Sequence, residues 1–312
     1  MKSTLAKVKP SFDRFVFDKF IPSVTLNTLG IQVLRVAIAQ TIHKIRPAEK
    51  LDRVKDYLDV LEEEGVVVIP NFLPKEKFQE VYSDYKNRFS DEKYPKVFQK
   101  IGSTEREAIA CHVQESSSIR DNFLYNEFLS NLIYGATKKH IYPIPSAILE
   151  RLTRNLEVDQ LDIMTLLHSD HYYPVFKAWF YLEDVKSNGA PFTYVKKSHK
   201  VSWPRLVYEY KLSNATARRM RDKSQQESGS QALSGKSFAN QTTQPVAVDN
   251  KITTTDKFYE ISLIEAIPTT KENICSVCCQ ANTLVLANTY GFHARGHLDI
   301  GQSRNAIHFS FR

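Results

Sequence analysis

A His and an Asp two residues apart at the end of an apolar run, LDIMTLLHSD (Leu161 to Asp170), constrain this 312-residue chain more than any other feature. The run Leu161 to Leu167 reads as a buried strand. Side chains alternate across a strand with period two, so His168 and Asp170 leave one face together while Ser169 points the other way. A second His brought in from elsewhere would complete a two-His, one-carboxylate set, which grips a metal on one side and leaves the opposite positions open.

The search for that His leads to TLVLANTYGFHARGHLDIGQSRNAIHFSFR (Thr283 to Arg312). Here an apolar strand ends at a Gly and His293, and eleven residues later Arg304 opens a final alternating strand. Four stretches now stand together: Glu64 to Leu73 (EGVVVIPNFL); the pair His168 and Asp170; Lys177 to Val185 (KAWFYLEDV), with Asn188 to Val195 (NGAPFTYV) and Ser198-His199; and His293 to Arg304. In this combination the chain resembles the phytanoyl-CoA dioxygenase family of Fe(II)- and 2-oxoglutarate-dependent oxygenases, over residues 60–312.

The resemblance implies an α+β chain with a mainly β core, a double-stranded β-helix (jelly roll, cupin-like) buttressed by N-terminal helices. It implies mononuclear Fe(II) on His168, Asp170 and His293. It also implies 2-oxoglutarate with its far carboxylate held by Arg304, whose planar guanidinium can grip a carboxylate through two parallel hydrogen bonds. His297 competes with His293 as third ligand, and the spacing to Arg304 favours His293. Trp179 and Lys177 are expected to line the cosubstrate pocket, with a core or salt-bridge role open beside it, and His171 and Tyr172 to shape the substrate side. Arg295 falls where many family members carry a small or hydroxyl residue. Related halogenases replace the triad carboxylate with a small residue; Asp170 is present, which favours hydroxylation, or a related desaturation or cyclisation.

The expected reaction is hydroxylation of an unactivated C–H bond of a small molecule, natural-product or lipid-like, by O2, with release of succinate and CO2 and with ascorbate as reductant in vitro. Secondary-metabolite biosynthesis is the preferred setting. O2 does not react readily with closed-shell molecules unaided, and no haem or flavin signature offers another activator. Two other classes use the same residues: a non-catalytic cupin-like module that binds a metal or small ligand, and a zinc hydrolase. The full triad together with Arg304 argues against both.

Charge excludes one further class. Of the net charge of +7, six lie in residues 1–50, where nine Lys or Arg face Asp13, Asp18 and Glu49. A near-neutral body is not that of a nucleic-acid enzyme. Cys111, Cys275, Cys278 and Cys279 have no second Cys or His pair at zinc spacing and read as reduced thiols. No signal peptide or spanning segment is evident, so the expected location is cytoplasmic, with peripheral membrane attachment open.

Two units are expected: a basic helical extension over 1–50 and an oxygenase domain over 51–312 with a polar insertion at about 205–270. Within 11–46, Leu26, Leu29, Val33, Val36 and Ala37 recur at helical spacing beside a second apolar stripe. A helix packed on the core or in a dimer, and a peripheral membrane or lipid contact, both fit that segment. Leu51 to Glu63 reads as a helix ended by Gly65, Val66 to Ile69 as a strand, and Pro74 as the start of a helix carrying Phe78, Val81, Tyr82 and Tyr85. Helices are also expected over 123–136 and 147–156; His112 and His140 carry no metal role. The Ser-, Gln- and Asn-rich run 224–244 is too polar to fold alone, and Phe258 to Ile267 packs back on the body. A lid over the pocket and a solvated loop both fit the insertion.

Overall fold

A computed structural model describes residues 18–47, 51–112, 115–139, 146–154, 161–233, 254–267 and 270–311. Its main sheet holds seven strands: β1 (Val66–Ile69), β2 (Val97–Ile101), β3 (Thr104–His112), β4 (Ser146–Thr153), β5 (Phe176–Tyr181), β8 (Thr283–Asn288) and β10 (Ser303–Phe311). They run in the order β1-β8-β5-β10-β4-β3-β2, every pair antiparallel. A smaller antiparallel sheet, β7 (Ile274–Val277), β6 (Phe192–Val195) and β9 (His293–Arg295), takes the order β7-β6-β9. Side chains of the two sheets meet in one apolar cluster, with Val66, Tyr181, Val285 and Ala306 from the first and Phe192, Tyr194 and Val277 from the second. This is the jelly roll that the sequence reading expects.

Period-two alternation gives the main sheet two unlike faces. One face carries Phe176, Ala178 and Phe180 of β5, Leu284 and Leu286 of β8, and Ile307, Phe309 and Phe311 of β10, all buried. Helices cover it: α3 (Lys55–Glu64), α4 (Lys75–Ser90) and α5 (Glu127–Thr137) supply Leu61, Val81, Tyr85, Leu129 and Leu132 to the same core. The other face looks into the roll and carries Lys177, Trp179 and Tyr181, Glu150, Arg304 and His308.

The predicted helix, strand, helix order over 51–90 is found. Gly65 ends α3 with φ +85°, and a Cβ there would collide with the Tyr194 hydroxyl and the His199 ring. Two expectations fail. Of residues 147–156, read as a helix, 147–153 belong instead to the strand β4 between β3 and β10, and 155–156 lie outside the described residues. Backbone pairing on both edges and burial of Ala147, Leu149 and Leu152 override local propensity. Leu161 to Leu167 is not a strand but holds a single 3-10 turn, Ile163–Thr165, because Asp162 accepts from Met164 N–H through its side chain (3.0 Å) and from Thr165 N–H through its carbonyl (2.9 Å).

On the N-terminal side, α1 (Val24–Thr28) and α2 (Ile31–Ile45) lie against α6 (Trp203–Leu233), which takes in the first ten residues of the polar stretch that begins at Ser224. α7 (Thr254–Glu265) packs beside α6, where Ile264 and Ile267 join Tyr208, Leu212 and Phe292, as predicted for Phe258 to Ile267. His140 lies outside the described residues, as does the side chain of His112.

Phe180 is the keystone of the helix-covered face: its ring lies 5.0 Å from that of Phe123, 6.0 Å from Phe72 and 6.1 Å from Phe78. Phe180→Ala is expected to cost about 3–5 kcal/mol of stability in urea denaturation, since helices on one side and sheet on the other leave little room for collapse.

Candidate metal centre

The centre is built by backbone pairing. His168 N–H donates to the His293 carbonyl (3.0 Å) and His293 N–H donates back to the His168 carbonyl (2.9 Å), an antiparallel bridge that adds residue 168 to the edge of β9. Asp170 N–H donates to the Thr289 carbonyl (3.0 Å). Three potential ligand atoms, one each from His168, Asp170 and His293, consequently lie within 4.8 Å of one another, the one such cluster of three or more among the described residues.

Each imidazole is oriented by its own chain. His168 Nδ1 lies 2.8 Å from the Leu166 carbonyl, and His293 Nδ1 lies 2.9 Å from the Gly291 carbonyl. A carbonyl only accepts, so Nδ1 carries the proton in both rings and, in the neutral form, Nε2 keeps its lone pair for a ligand. Burial lowers His293 below the ordinary histidine value, over the opposing pull of Asp170. Burial pushes the Asp170 carboxyl up, but His293, Lys177 and His168 together outweigh it and hold the group well below the usual carboxylate range. The set is therefore a neutral His293, a second imidazole and an anion, the donor chemistry of a divalent-metal site.

Lys177 stands on the inner face of β5, with Nζ 2.8 Å from Asp170 Oδ2. The same carboxylate oxygen lies 3.5 Å from His293 Nε2. The structure thus places Lys177 on the triad carboxylate, the salt-bridge alternative of the sequence reading. Trp179, two residues on, packs at 4.4 Å from Phe192 and 5.3 Å from His308.

Arg304 is buried on β10. Its Nη2 donates to Glu150 Oε1 (2.7 Å) and its Nη1 to the Ala190 carbonyl (2.7 Å), while Nε is buried without a hydrogen bond. Glu150 Oε2 accepts from Arg106 Nε (2.6 Å). Burial raises the Glu150 carboxyl, yet Arg304 and Arg106 bring it down to about 2. Beside Arg304, 5.8 Å from its guanidinium carbon, lies the ring of Tyr181, whose hydroxyl is also buried without a hydrogen bond.

Sequence reasoning missed Glu150, Tyr181 and His308. His308 was within reach: it follows Arg304 by four residues on an alternating strand and so shares its face. Burial, then Lys177, lowers it to about 4, so it is a neutral ring at ordinary pH. Glu150 was hidden by the helical reading of its segment. His297 is excluded from the centre: it is exposed, with Nε2 2.9 Å from Arg154 Nη1 and 3.2 Å from Asp299. Arg295, which stands where many members of the resembled family carry a small or hydroxyl residue, is paired with Asp162 in the interior. All four cysteines are free thiols.

The N-terminal segment packs against the loop that carries His168 and Asp170. Lys19 Nζ donates to the Ser169 carbonyl, inside the triad loop, and pairs with Glu260 at 3.2 Å. Arg35 of α2 lies 3.5 Å over the Tyr172 ring, and Val36 packs with Tyr172 and Tyr290. The turn before His293 is held by the fully buried Arg205, which donates to the Tyr290 carbonyl (2.8 Å) and to Glu209 (3.1 Å). Gly291 lets Tyr194 close under that turn, where Tyr194 Oη donates to the Asn288 carbonyl (2.9 Å). A Cβ at position 291 would overlap the Tyr194 ring and hydroxyl. Gly291→Ala is therefore expected to displace the His293 turn and weaken Co(II) binding at least tenfold in a spectroscopic titration, with a thermal midpoint lowered by a few degrees.

No family model matches the sequence, and no curated protein sequence does. Solved structures match in fold. EctD from S. alaskensis with 2-oxoglutarate and 5-hydroxyectoine aligns at a TM-score of 0.52 and 10% identity, over 86% of this chain and 80% of that one. EctD with bound Fe aligns at 0.50, with the same identity and coverage. HygX from Streptomyces hygroscopicus with nickel and 2-oxoglutarate aligns at 0.45 and 16% identity, over 84% and 87%. At these identities the likeness is one of architecture: the chain shares its jelly-roll fold with EctD.

Proposed function

We propose that the protein is an Fe(II)- and 2-oxoglutarate-dependent oxygenase that hydroxylates a small, apolar or ring-bearing molecule. The observation that carries this reading is the convergence of His168, Asp170 and His293 within 4.8 Å, with both Nδ1 atoms tied back to carbonyls. The fold shared with EctD, whose structures hold Fe and 2-oxoglutarate, supports it.

His168 Nε2, His293 Nε2 and the Asp170 carboxylate would hold the metal. Iron with 2-oxoglutarate supplies, when bound, the O2 activation that a closed-shell substrate requires. The chain's own residues do the rest. Lys177, the fixed cation beside the carboxylate, keeps Asp170 ionised and ready to ligate. Arg304, whose Nε has no partner and whose guanidinium is fixed by Glu150 and the Ala190 carbonyl, would hold the far carboxylate of 2-oxoglutarate. Tyr181 Oη, also without a partner, would add a second donor. Trp179, packed between Phe192 and His308, closes one side of the cosubstrate pocket.

Charge supports the pairing of ion and cosubstrate. The inner face and its surroundings hold Arg106, Lys177, Arg295 and Arg304 against Glu150, Asp162 and Asp170, four cations to three anions. A divalent metal and a dianionic cosubstrate leave that balance unchanged. Beyond the triad, Tyr172, Tyr173 and Tyr290 pack in one cluster with Val36, and an apolar or ring-bearing substrate suits such aromatic surroundings better than a polyanion.

Two experiments test the reading. Under argon, Fe(II) and 2-oxoglutarate added together are expected to give a visible metal-to-ligand charge-transfer band in the wild type and none in Asp170→Ala; under air the wild type alone releases succinate. Cosubstrate binding without iron dependence would overturn the reading in favour of a binding module. With the metal loaded, Tyr181→Phe is expected to weaken 2-oxoglutarate binding about fivefold, the worth of one hydrogen bond of about 1 kcal/mol. Arg304→Ala should weaken it far more, with Fe(II) affinity in its absence retained in both variants.

A further inference from the structure

Helix α2 buries a mixed inward side. Beside Val36 it carries the polar Gln32 and Arg35, whose Nε2 and Nη2 donate to the Lys19 carbonyl (2.9 Å) and the Asp18 carbonyl (2.7 Å). Its outward side is aliphatic. Leu34, Ile38, Ile42 and Ile45 recur at spacings of four, four and three and so form one stripe, and they are 54%, 50%, 43% and 72% exposed. Leu29, in the turn before the helix, is also exposed, at 71%. A surface helix ordinarily turns its apolar stripe to the core, and exposed stripes of this kind mark interaction surfaces.

The charge around the stripe points to the occupant. Residues 19–48 contain no Asp or Glu. At the C-terminal end of α2, Lys44 and Arg46 are joined by Lys138 and Lys139 from the end of α5; Lys138 Nζ donates to the Lys44 carbonyl (3.2 Å), and Lys138, Lys139 and Arg46 all act on His43. An aliphatic stripe beside a cation cluster free of acids within 19–48 is the pattern of a helix lying in the plane of an anionic bilayer surface. No helix among the described residues is long and apolar enough to cross a membrane, so the contact is one of lying on the surface.

We propose that α2 docks the protein on anionic phospholipid membranes, its aliphatic stripe entering the headgroup boundary and Lys44, Arg46, Lys138 and Lys139 meeting the lipid phosphates and carboxylates. The same helix packs on Tyr172 beside the triad loop, so docking sets the aromatic, substrate side of the site close to the bilayer. The inference is independent of the oxygenase reading.

Co-sedimentation of the full chain with vesicles tests it, using phosphatidylcholine alone or with about a third phosphatidylserine. Wild type is expected to bind the mixed vesicles and to come off as salt rises. The double variant Ile38→Asp, Ile42→Asp and the double variant Lys44→Glu, Lys139→Glu should each lose at least tenfold in partitioning, with thermal midpoints unchanged because these side chains are exposed. Failure of wild type to bind mixed vesicles overturns the proposal, as does binding indifferent to either variant. A lowered midpoint in the Ile38, Ile42 variant would instead show that the chain's own first residues cover the stripe. A dimer that this variant splits in sedimentation velocity would show a second copy there, and both results overturn lipid docking.

Discussion

Two hydrogen bonds between His168 and His293, residues 125 apart in the chain, carry the candidate centre. Each imidazole projects from a backbone that the other holds, and each Nδ1 is spent on a carbonyl two residues before it. The metal-binding ends are thus preset before any ion arrives, which lowers the ordering cost of ligation. Asp170 depends on the same pairing, because its N–H bonds to Thr289 on the strand-to-strand turn that ends in His293. What holds that turn is correspondingly elaborate: Arg205 from α6 on one side, Tyr194 beneath Gly291 on the other.

The main sheet solves two problems with one periodicity. Its outer face is Phe, Leu and Ile under helices, and supplies the burial that stabilises the molecule. Its inner face concentrates Lys177, Glu150, Arg304 and His308 with Trp179 and Tyr181. Buried charges are tolerated there because they are paired: Glu150 between two guanidinium groups, Asp170 beside Lys177. The buried atoms without a hydrogen bond on this face include Arg304 Nε, Tyr181 Oη, Thr283 Oγ1 and Ser310 Oγ, and the proposed cosubstrate would satisfy the first two.

Much of this was legible in the primary structure, for identifiable reasons. His168 and Asp170 are close neighbours in sequence, so local geometry brings them together whether the preceding segment is a strand or, as found, a 3-10 turn. The strand Val66 to Ile69 between Gly65 and Pro70 announces itself by β-branching and breakers. Ala147 to Leu152 did not, because its Leu, Glu and Arg favour a helix locally and only pairing with β3 and β10 makes it a strand. With that strand misread, Glu150 could not be seen as the partner of Arg304. The helical pattern of α2 was also plain, but a chain pattern does not say which side of a helix faces in.

The sequence by itself determined the donor types, the apolar alternation that makes a jelly roll, and the excess positive charge of the N-terminal segment. These are properties of residues and of spacings shorter than a strand. The tertiary structure alone decided that His293 rather than His297 joins the pair, that Lys177 stands on Asp170, that Arg304 is backed by Glu150, and that α2 turns its aliphatic side outward. Each of these turns on which strands and helices lie side by side, and that is set by burial and hydrogen bonding summed over the whole chain rather than by any segment's own preference.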